Sequence, residues 1–124
     1  MNKQIFHKVT QKETFFKAGD NTLLAEILHP MHQGHPSLPY SIAYASIEAH
    51  EKSLPHILNQ SELYLFIKGI GQITIENKAH AVEAGHVILV PAGAKQFVVN
   101  LGKERLEFYC IVNPPWTAEG EKII

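Results

Sequence analysis

The sequence lacks the features that mark extracellular or membrane proteins. It contains a single cysteine, Cys110, so no disulfide can form within the chain. The neighbours of that cysteine, LEFYCIV, predict a buried core residue rather than a reactive thiol. No apolar run reaches the length of a signal sequence or a membrane-spanning helix. We therefore expect a cytoplasmic protein that does not enter a membrane.

Neither sign of charge is in excess. The chain carries 11 lysines and arginines against 12 aspartates and glutamates, for a net charge of -1. Without a basic surplus, nothing favours a nucleic-acid partner or an anionic membrane surface. The function must therefore come from a specific site.

Helical periodicity is also missing, since no window keeps it for three turns. Short alternating and β-branched runs, separated by glycine and proline, instead predict an all-β protein that folds as a sandwich or a barrel. The predicted strands are TLLAEIL, SIAYASIEA, ELYLFIKG, GQITIE, HAVEA, HVILVP, KQFVVN and LEFYCIV. Asn77-Lys78 is predicted to form a tight hairpin turn. At 124 residues the chain fits a single domain.

Most of the eight histidines are expected to lie outside any site. The segment HPMHQGHPSLP contains three prolines and a glycine, which exclude a helix. It is therefore predicted to be a loop with solvated histidines, namely His29, His32 and His35. Further surface positions are predicted for His7, His80 and His86. His50 could enter the site across the short loop that contains Pro55, and Trp116 is expected to pack over a barrel end or a subunit contact.

Two stretches of the chain resemble the motifs of the cupin family. The first motif of that family is G, five residues, HxH, three or four residues, E, six residues, G, and its spacing is matched by His56, Leu58, Glu62 and Gly69. The second motif, G, five residues, PxG, two residues, H, three residues, N, is matched by Gly85, Pro91, Gly93 and Asn100. Two independent patterns in the right order make the resemblance specific.

The resemblance implies a small double-stranded β-helix barrel, jelly-roll-like, of the cupin conserved-barrel type. It divides the chain into an N-terminal arm at about 1–20, the barrel at about 21–113 and a C-terminal tail at about 114–124. It also implies a homodimer formed by packing of sheets, in which Leu63, Leu65 and Ile67 lie on the outer face.

The chain departs from the family at two metal-ligand positions. Leu58 stands where the first motif has its second histidine, and Gln96 stands where the second motif has its histidine. The ligand set that the resemblance implies is therefore His56, Glu62 and Gln96, since cupins resembling phosphomannose isomerases use glutamine as a ligand. By ligand type this set suits zinc, manganese, iron or nickel. The alternative is a relic of a metal site that holds only a small ligand or water.

In a strand, Glu62, Tyr64 and Phe66 share one face. If Glu62 points into the barrel, we expect the two aromatic rings to line the cavity beside it. Further pocket residues are predicted at Leu58, Tyr44 and Val98.

Two functions are compatible with these residues. The first is a metal-dependent isomerase, decarboxylase or dioxygenase acting on a small oxygen-rich molecule, with Glu62 and Tyr64 as catalytic residues. The second is a non-catalytic cupin that binds a small ligand without metal. A DNA-binding regulator is disfavoured, because no residues remain for a helix-turn-helix region.

Overall fold

The computed structural model describes residues 5–10 and 14–124. The regular elements of this part are β-strands and short 3₁₀ turns. The strands are β1 (Phe16–Lys17), β2 (Leu23–Leu28), β3 (Ser41–Ile47), β4 (His56–Leu58), β5 (Ser61–Lys68), β6 (Ile70–Ile75), β7 (Lys78–Glu83), β8 (Val87–Val90), β9 (Lys95–Asn100), β10 (Leu106–Asn113) and β11 (Glu121–Ile123). A 3₁₀ turn at Ala118–Gly120 precedes β11. The all-β prediction is confirmed.

The strands form two antiparallel sheets. The order in the six-stranded sheet is β1-β2-β3-β10-β5-β8, and the order in the five-stranded sheet is β11-β4-β9-β6-β7. The main hydrophobic core includes Phe66 and Phe108 from the first sheet and Ile73 and Val98 from the second. Side chains from both sheets are thus buried together, as expected for two sheets that close around one core.

Alternation along β5 positions the site. Glu62, Tyr64 and Phe66 are all buried, whereas Ile67 is exposed. Because alternate residues of a strand face opposite sides, the predicted shared face of the first three is confirmed. The ring of Phe66 stacks against Tyr64 at a centroid distance of 5.8 Å, so the core aromatics support the polar residues above them.

A second, smaller apolar cluster lies apart from the main core. Ala25, Ile27 and Tyr44 are buried there, covered in part by Phe6 and Phe15 from the N-terminal arm. The arm therefore contributes packing as well as strand β1.

The hairpin between β6 and β7 turns one residue earlier than predicted. Glu76 and Asn77 have φ values of 49° and 68°, and Ile75 pairs with Lys78. Positive φ at both central residues is the requirement of a two-residue type I′ turn, which asparagine tolerates well. The expected turn at Asn77-Lys78 is therefore corrected to Glu76-Asn77.

Three short strands were absent from the predicted set, namely β1, β4 and β11. Each has only two or three residues, too few to show a period. No helix in the described part of the chain is long and apolar enough to cross a membrane.

Candidate functional site

A cavity of ≈150 Å³ opens among strands β2, β3, β5, β9 and β10. Its apolar wall includes Phe16, Leu24, Phe108 and Trp116. Its ionisable lining comprises Asp20, Glu26, His29, His56, Glu62, Tyr64, Cys110 and Glu121. Among the described residues that line it, none is a lysine or an arginine. The cavity therefore has many apolar lining residues, and its carboxyl groups are not balanced by a lysine or an arginine.

Three of the ionisable side chains that line the cavity lie close together. Asp20, His56 and Glu121 each offer a ligand atom, and these atoms all lie within 4.8 Å of one another. One imidazole nitrogen and two carboxylate oxygens are ligands that suit a divalent transition metal. This group, called the cavity triad below, is a candidate metal centre.

The tautomer of His56 leaves one nitrogen available to the cavity. Its Nδ1 lies 2.9 Å from the carbonyl oxygen of Leu54, which can only accept a hydrogen bond. Nδ1 therefore carries the proton, and Nε2 of the neutral ring has the free lone pair. A hydrogen bond of this kind is the usual way in which proteins orient a metal-binding histidine.

Asp20 is fixed to the same residue of the chain. The amide of Leu54 donates to the carbonyl oxygen of Asp20 at 2.7 Å. The Asp20 Oδ1 atom accepts from the amide and the hydroxyl of Thr22, at 3.1 and 2.8 Å. Leu54 thus holds both Asp20 and His56 through its backbone.

Glu121 reaches the site because the C-terminal tail adds strand β11 to β4. Glu121 pairs with Leu58, and side chains directly opposite each other on paired strands share a face. The tail therefore brings a carboxylate beside the position at which the motif has lost its second histidine. Burial raises the pKa of Glu121, as does the charge of Asp20, while His56 and the side chain of Trp116 lower it.

Glu62 is the least satisfied polar group in the cavity. Its side chain is buried, and Oε1 has no hydrogen-bond partner among the described residues. Burial raises the pKa of the Glu62 carboxyl, while His56 and hydrogen bonds with Cys110 and Gln96 oppose the increase. An orphaned buried oxygen is costly unless a ligand or a proton satisfies it.

Gln96 and Tyr64 are engaged with each other. The Tyr64 hydroxyl donates to Gln96 Oε1, and Gln96 does not line the cavity. Burial, followed by the nearby Glu62, raises the pKa values of Tyr64 and Cys110 well above their usual ranges. The amide oxygen that the motif would give to a metal therefore accepts a hydrogen bond, and its side chain lies outside the cavity lining. Burial of Cys110 in the main core confirms its predicted place.

The structure brings part of the predicted pocket together. His56, Glu62, Tyr64 and Val98 line the cavity, whereas Leu58, Phe66 and Tyr44 do not. Leu58 and Phe66 are 2% and 0% exposed, because they pack into the barrel interior.

Tyr44 lies in the smaller apolar cluster, outside the main core. There it packs against Tyr109, and its hydroxyl donates to Glu107. The pocket positions expected for Leu58, Phe66 and Tyr44 are thus corrected.

One of the loop histidines differs from expectation. His29 is buried, not solvated, and its Nε2 lies 2.8 Å from the carbonyl oxygen of Trp116, to which it donates. His32 is exposed and pairs with Glu26 at 2.9 Å. His50 is exposed and does not line the cavity. Trp116, expected over a barrel end, lines the cavity wall.

Asp20 and Glu121 were missed by the sequence analysis. Asp20 follows a glycine in the arm, and Glu121 lies in a polar tail, so neither belongs to a motif. The apolar pair Ile123 and Ile124 after Glu121 was the one available signal that the tail returns to the body.

Comparison with known proteins matches residues 43–112 to the cupin domain. An uncharacterized protein of Methanocaldococcus jannaschii, MJ1618, is 28% identical over 106 residues, which cover 85% of this chain and 83% of the relative.

Two solved structures show the likeness of the fold. A predicted oxalate decarboxylase from Thermotoga maritima has a TM-score of 0.75 at 16% identity, over 90% of this chain and 99% of that one. The nucleoside dehydratase Pac13, from Streptomyces, has a TM-score of 0.76 at 15% identity, over 98% and 92%. These identities establish a shared barrel fold and no shared activity.

Proposed function

We propose that this chain, which belongs to the cupin family, is a metal-dependent enzyme acting on a small oxygen-bearing molecule in the cavity. The convergence of Asp20, His56 and Glu121 within 4.8 Å carries this proposal. In this proposal the cavity triad replaces the ligand set that the motifs imply. Leu58 has no donor atom, and the Gln96 oxygen accepts a hydrogen bond from Tyr64.

The triad would hold zinc, manganese, iron or nickel through one nitrogen and two carboxylates. When bound, such an ion supplies a Lewis acid that polarises a substrate oxygen. The chain's own residues fit this role, since the Leu54 carbonyl presets the His56 tautomer and Thr22 fixes the Asp20 carboxylate.

We assign the proton-transferring role to Glu62. Glu62 lines the cavity, and its buried Oε1 has no hydrogen-bond partner among the described residues. A carboxyl group in such a place can hold a proton and return it to a different atom of the substrate. Among isomerisation, decarboxylation and dioxygenation, this favours isomerisation. Tyr64, predicted as a second catalytic residue, already donates a hydrogen bond to Gln96. It is better suited to hold the Gln96 side chain in place.

The alternative is a metal-free protein that binds a small ligand. The losses at Leu58 and Gln96 favour it, because they remove two donors from the motifs. It makes a different prediction about metal content, so the two functions can be separated directly.

Metal binding by isosteric variants tests the proposal. After chelation, the wild-type chain should take up one ion from zinc, manganese, iron or nickel, measured by calorimetry and elemental analysis. Asp20→Asn and Glu121→Gln should each weaken binding by about 10-fold or more, because each removes a charged ligand. Glu119→Gln, which changes an exposed residue of the same tail, and Gln96→Ala should not weaken it.

Two results would overturn the proposal. Weaker binding in Gln96→Ala alone would return the site to the motif residues. A wild-type chain that takes up none of the four metals would leave the metal-free binding protein.

The homodimer is likewise our proposal. Leu63 pairs with Leu89 and Leu65 with Val87 on the outer side of β5 and β8. Val87 and Leu89 are each 58% exposed, and a second copy that covered this face would remove their apolar surface from water. Analytical ultracentrifugation of the wild type and of Leu89→Lys tests this, since the variant should sediment as a monomer.

A further inference from the structure

The charges that line the cavity are of one sign. Four carboxylates face it, from Asp20, Glu26, Glu62 and Glu121, and no described lining residue is a lysine or an arginine. Any attraction for an anionic substrate would therefore have to come from the metal.

Asp20 and Glu121 already balance a divalent ion. Each contributes one negative charge as a ligand, so the loaded triad has no net charge. Glu26 and Glu62 add negative charge when they are ionised and no charge when they are protonated. The loaded cavity is therefore neutral or negative, unlike a site in which neutral histidines leave the positive charge of the metal uncompensated.

The histidines do not restore a positive charge. His56 is neutral when Nε2 is a ligand, because Nδ1 then holds its single proton. His29 is neutral too, since Nδ1 accepts from the Met31 amide at 3.3 Å while Nε2 donates to Trp116. A proton on His32 would be matched by the Glu26 carboxylate 2.9 Å away.

The remaining lining atoms suit hydroxyl and carbonyl groups. Glu62 Oε1 has no partner among the described residues and can accept from a hydroxyl. Ser41 and Ser53 accept hydrogen bonds from backbone amides through their hydroxyl oxygens, which leaves their hydroxyl hydrogens free to donate. The volume of ≈150 Å³ is that of a cavity that holds a molecule of about the size of benzene.

We infer that the substrate is a small uncharged hydroxy-carbonyl compound, and that the site disfavours dicarboxylate anions such as oxalate. The inference rests on the proposed metal-dependent function and names the substrate class of that same site. It predicts that this chain does not favour oxalate, although it shares its fold with a predicted oxalate decarboxylase.

Binding to the metal-loaded full-length chain tests the inference. Trp116 is the chain's one tryptophan and lines the cavity, so its fluorescence reports on ligands there. The probes are dihydroxyacetone, which is neutral, oxalate, which is a dianion, and ethanolamine, which is a cation of similar size. We expect dihydroxyacetone to bind at least about 10-fold more tightly than oxalate, with metal content measured after each titration to detect stripping of the ion.

A charge variant sharpens the test. At saturating metal, Glu121→Gln leaves one positive charge of the ion uncompensated. The ratio of the dissociation constant of oxalate to that of dihydroxyacetone should therefore fall at least about threefold. Glu119→Gln, exposed on the same tail, should leave the preference unchanged. A wild type that takes up no metal before the titration would contradict the proposed function itself. A loaded wild type that prefers oxalate or ethanolamine, or binds none of the three probes, would overturn only the inference about substrate.

Discussion

Two groups of side chains in this barrel offer the same kinds of metal ligand. Asp20, His56 and Glu121 form the cavity triad, whereas Glu26, His29 and His32 form a second group at the end of β2. In the first, His56 uses one ring nitrogen for Leu54 and keeps the other free. In the second, His29 uses both nitrogens within the protein, for Trp116 and Met31.

The difference shows that ligand type and proximity do not define a metal site. The Glu26 carboxylate is held by His32 through both oxygens at 2.9 Å, and the two histidine rings stack at 4.5 Å. His29 has no lone pair left for an ion, because Nδ1 accepts from the Met31 amide and Nε2 donates to the Trp116 carbonyl. The second group therefore joins the loop to the tail at Trp116, whereas the cavity triad keeps donor atoms available for an ion.

The largest expected effect comes from exchanging one histidine in each group. His56→Ala should lower affinity for a divalent metal more than about 100-fold, because it removes the nitrogen ligand. His29→Ala should keep the metal but lower the free energy of unfolding by about 1–3 kcal/mol, since the Trp116 carbonyl loses its buried donor. Calorimetric metal titration and urea unfolding of both variants measure the two effects. Loss of metal in His29→Ala together with full affinity in His56→Ala would place the ion at the loop.

A glycine in the tail provides the next test, through the position of Glu121. A Cβ added at Gly120 would lie 2.5 Å from Oε1 of the buried Gln60, which itself holds the tail through Thr117. Gly120→Ala should therefore cost about 1–3 kcal/mol of stability and weaken metal binding about 10-fold.

The matched control lies in the loop of the second group. Gly34→Ala meets no atom within 4 Å, although its φ of 73° costs about 1 kcal/mol. Metal affinity should not change there. Full affinity in Gly120→Ala would mean that the tail does not set the position of Glu121.

The barrel itself could be predicted because its signals are local. Alternation along ELYLFIKG fixes which residues face inwards, and Gly69 occupies a position with φ of 90° where a Cβ would lie 2.9 Å from the Arg105 carbonyl oxygen. Such requirements on single residues account for the spacing of the motifs. Side-chain direction in β5 was predicted correctly for the same reason.

The site could be predicted only where it lies in a motif. His56 and Glu62 were found by spacing, but Asp20 and Glu121 reach the cavity through long-range pairing, of the arm's backbone with Leu54 and of β11 with β4. Nothing local in a three-residue strand indicates its partner. The hydrogen bond between Gln96 and Tyr64, across the two sheets, leaves no trace in the sequence.

The buried carboxyl group of Glu62 extends the comparison from donor atoms to protons. In the metal-depleted chain, burial raises the pKa of Glu62 above its usual value of about 4.3. Below that value both the folded and unfolded states hold the proton, so ionisation does not affect stability. As pH rises, the unfolded chain releases the proton first, and the folded state loses stability until Glu62 also ionises.

Glu62→Gln removes this loss, so its stability relative to the wild type should be greater at pH 8 than at pH 5. Urea unfolding at the two pH values measures the difference, with Glu119→Gln as the exposed control. A gain of the same size at both pH values would show that pairing with His56 keeps Glu62 ionised throughout.

The smallest effect is expected where the second group faces solvent. The side chains of His32 and Glu26 are 61% and 34% exposed, and exposed ion pairs contribute only about 0.2–1 kcal/mol. His32→Ala should change the free energy of unfolding within that range, with a smaller change in high salt because exposed charges are screened. A double-mutant cycle with Glu26→Gln isolates the pair from the stacking of His32 on His29. Metal stoichiometry should stay at the wild-type value, because His56 Nε2 and the two carboxylates of the cavity triad are unchanged. Loss of the ion in His32→Ala would contradict the conclusion that only the cavity triad binds metal.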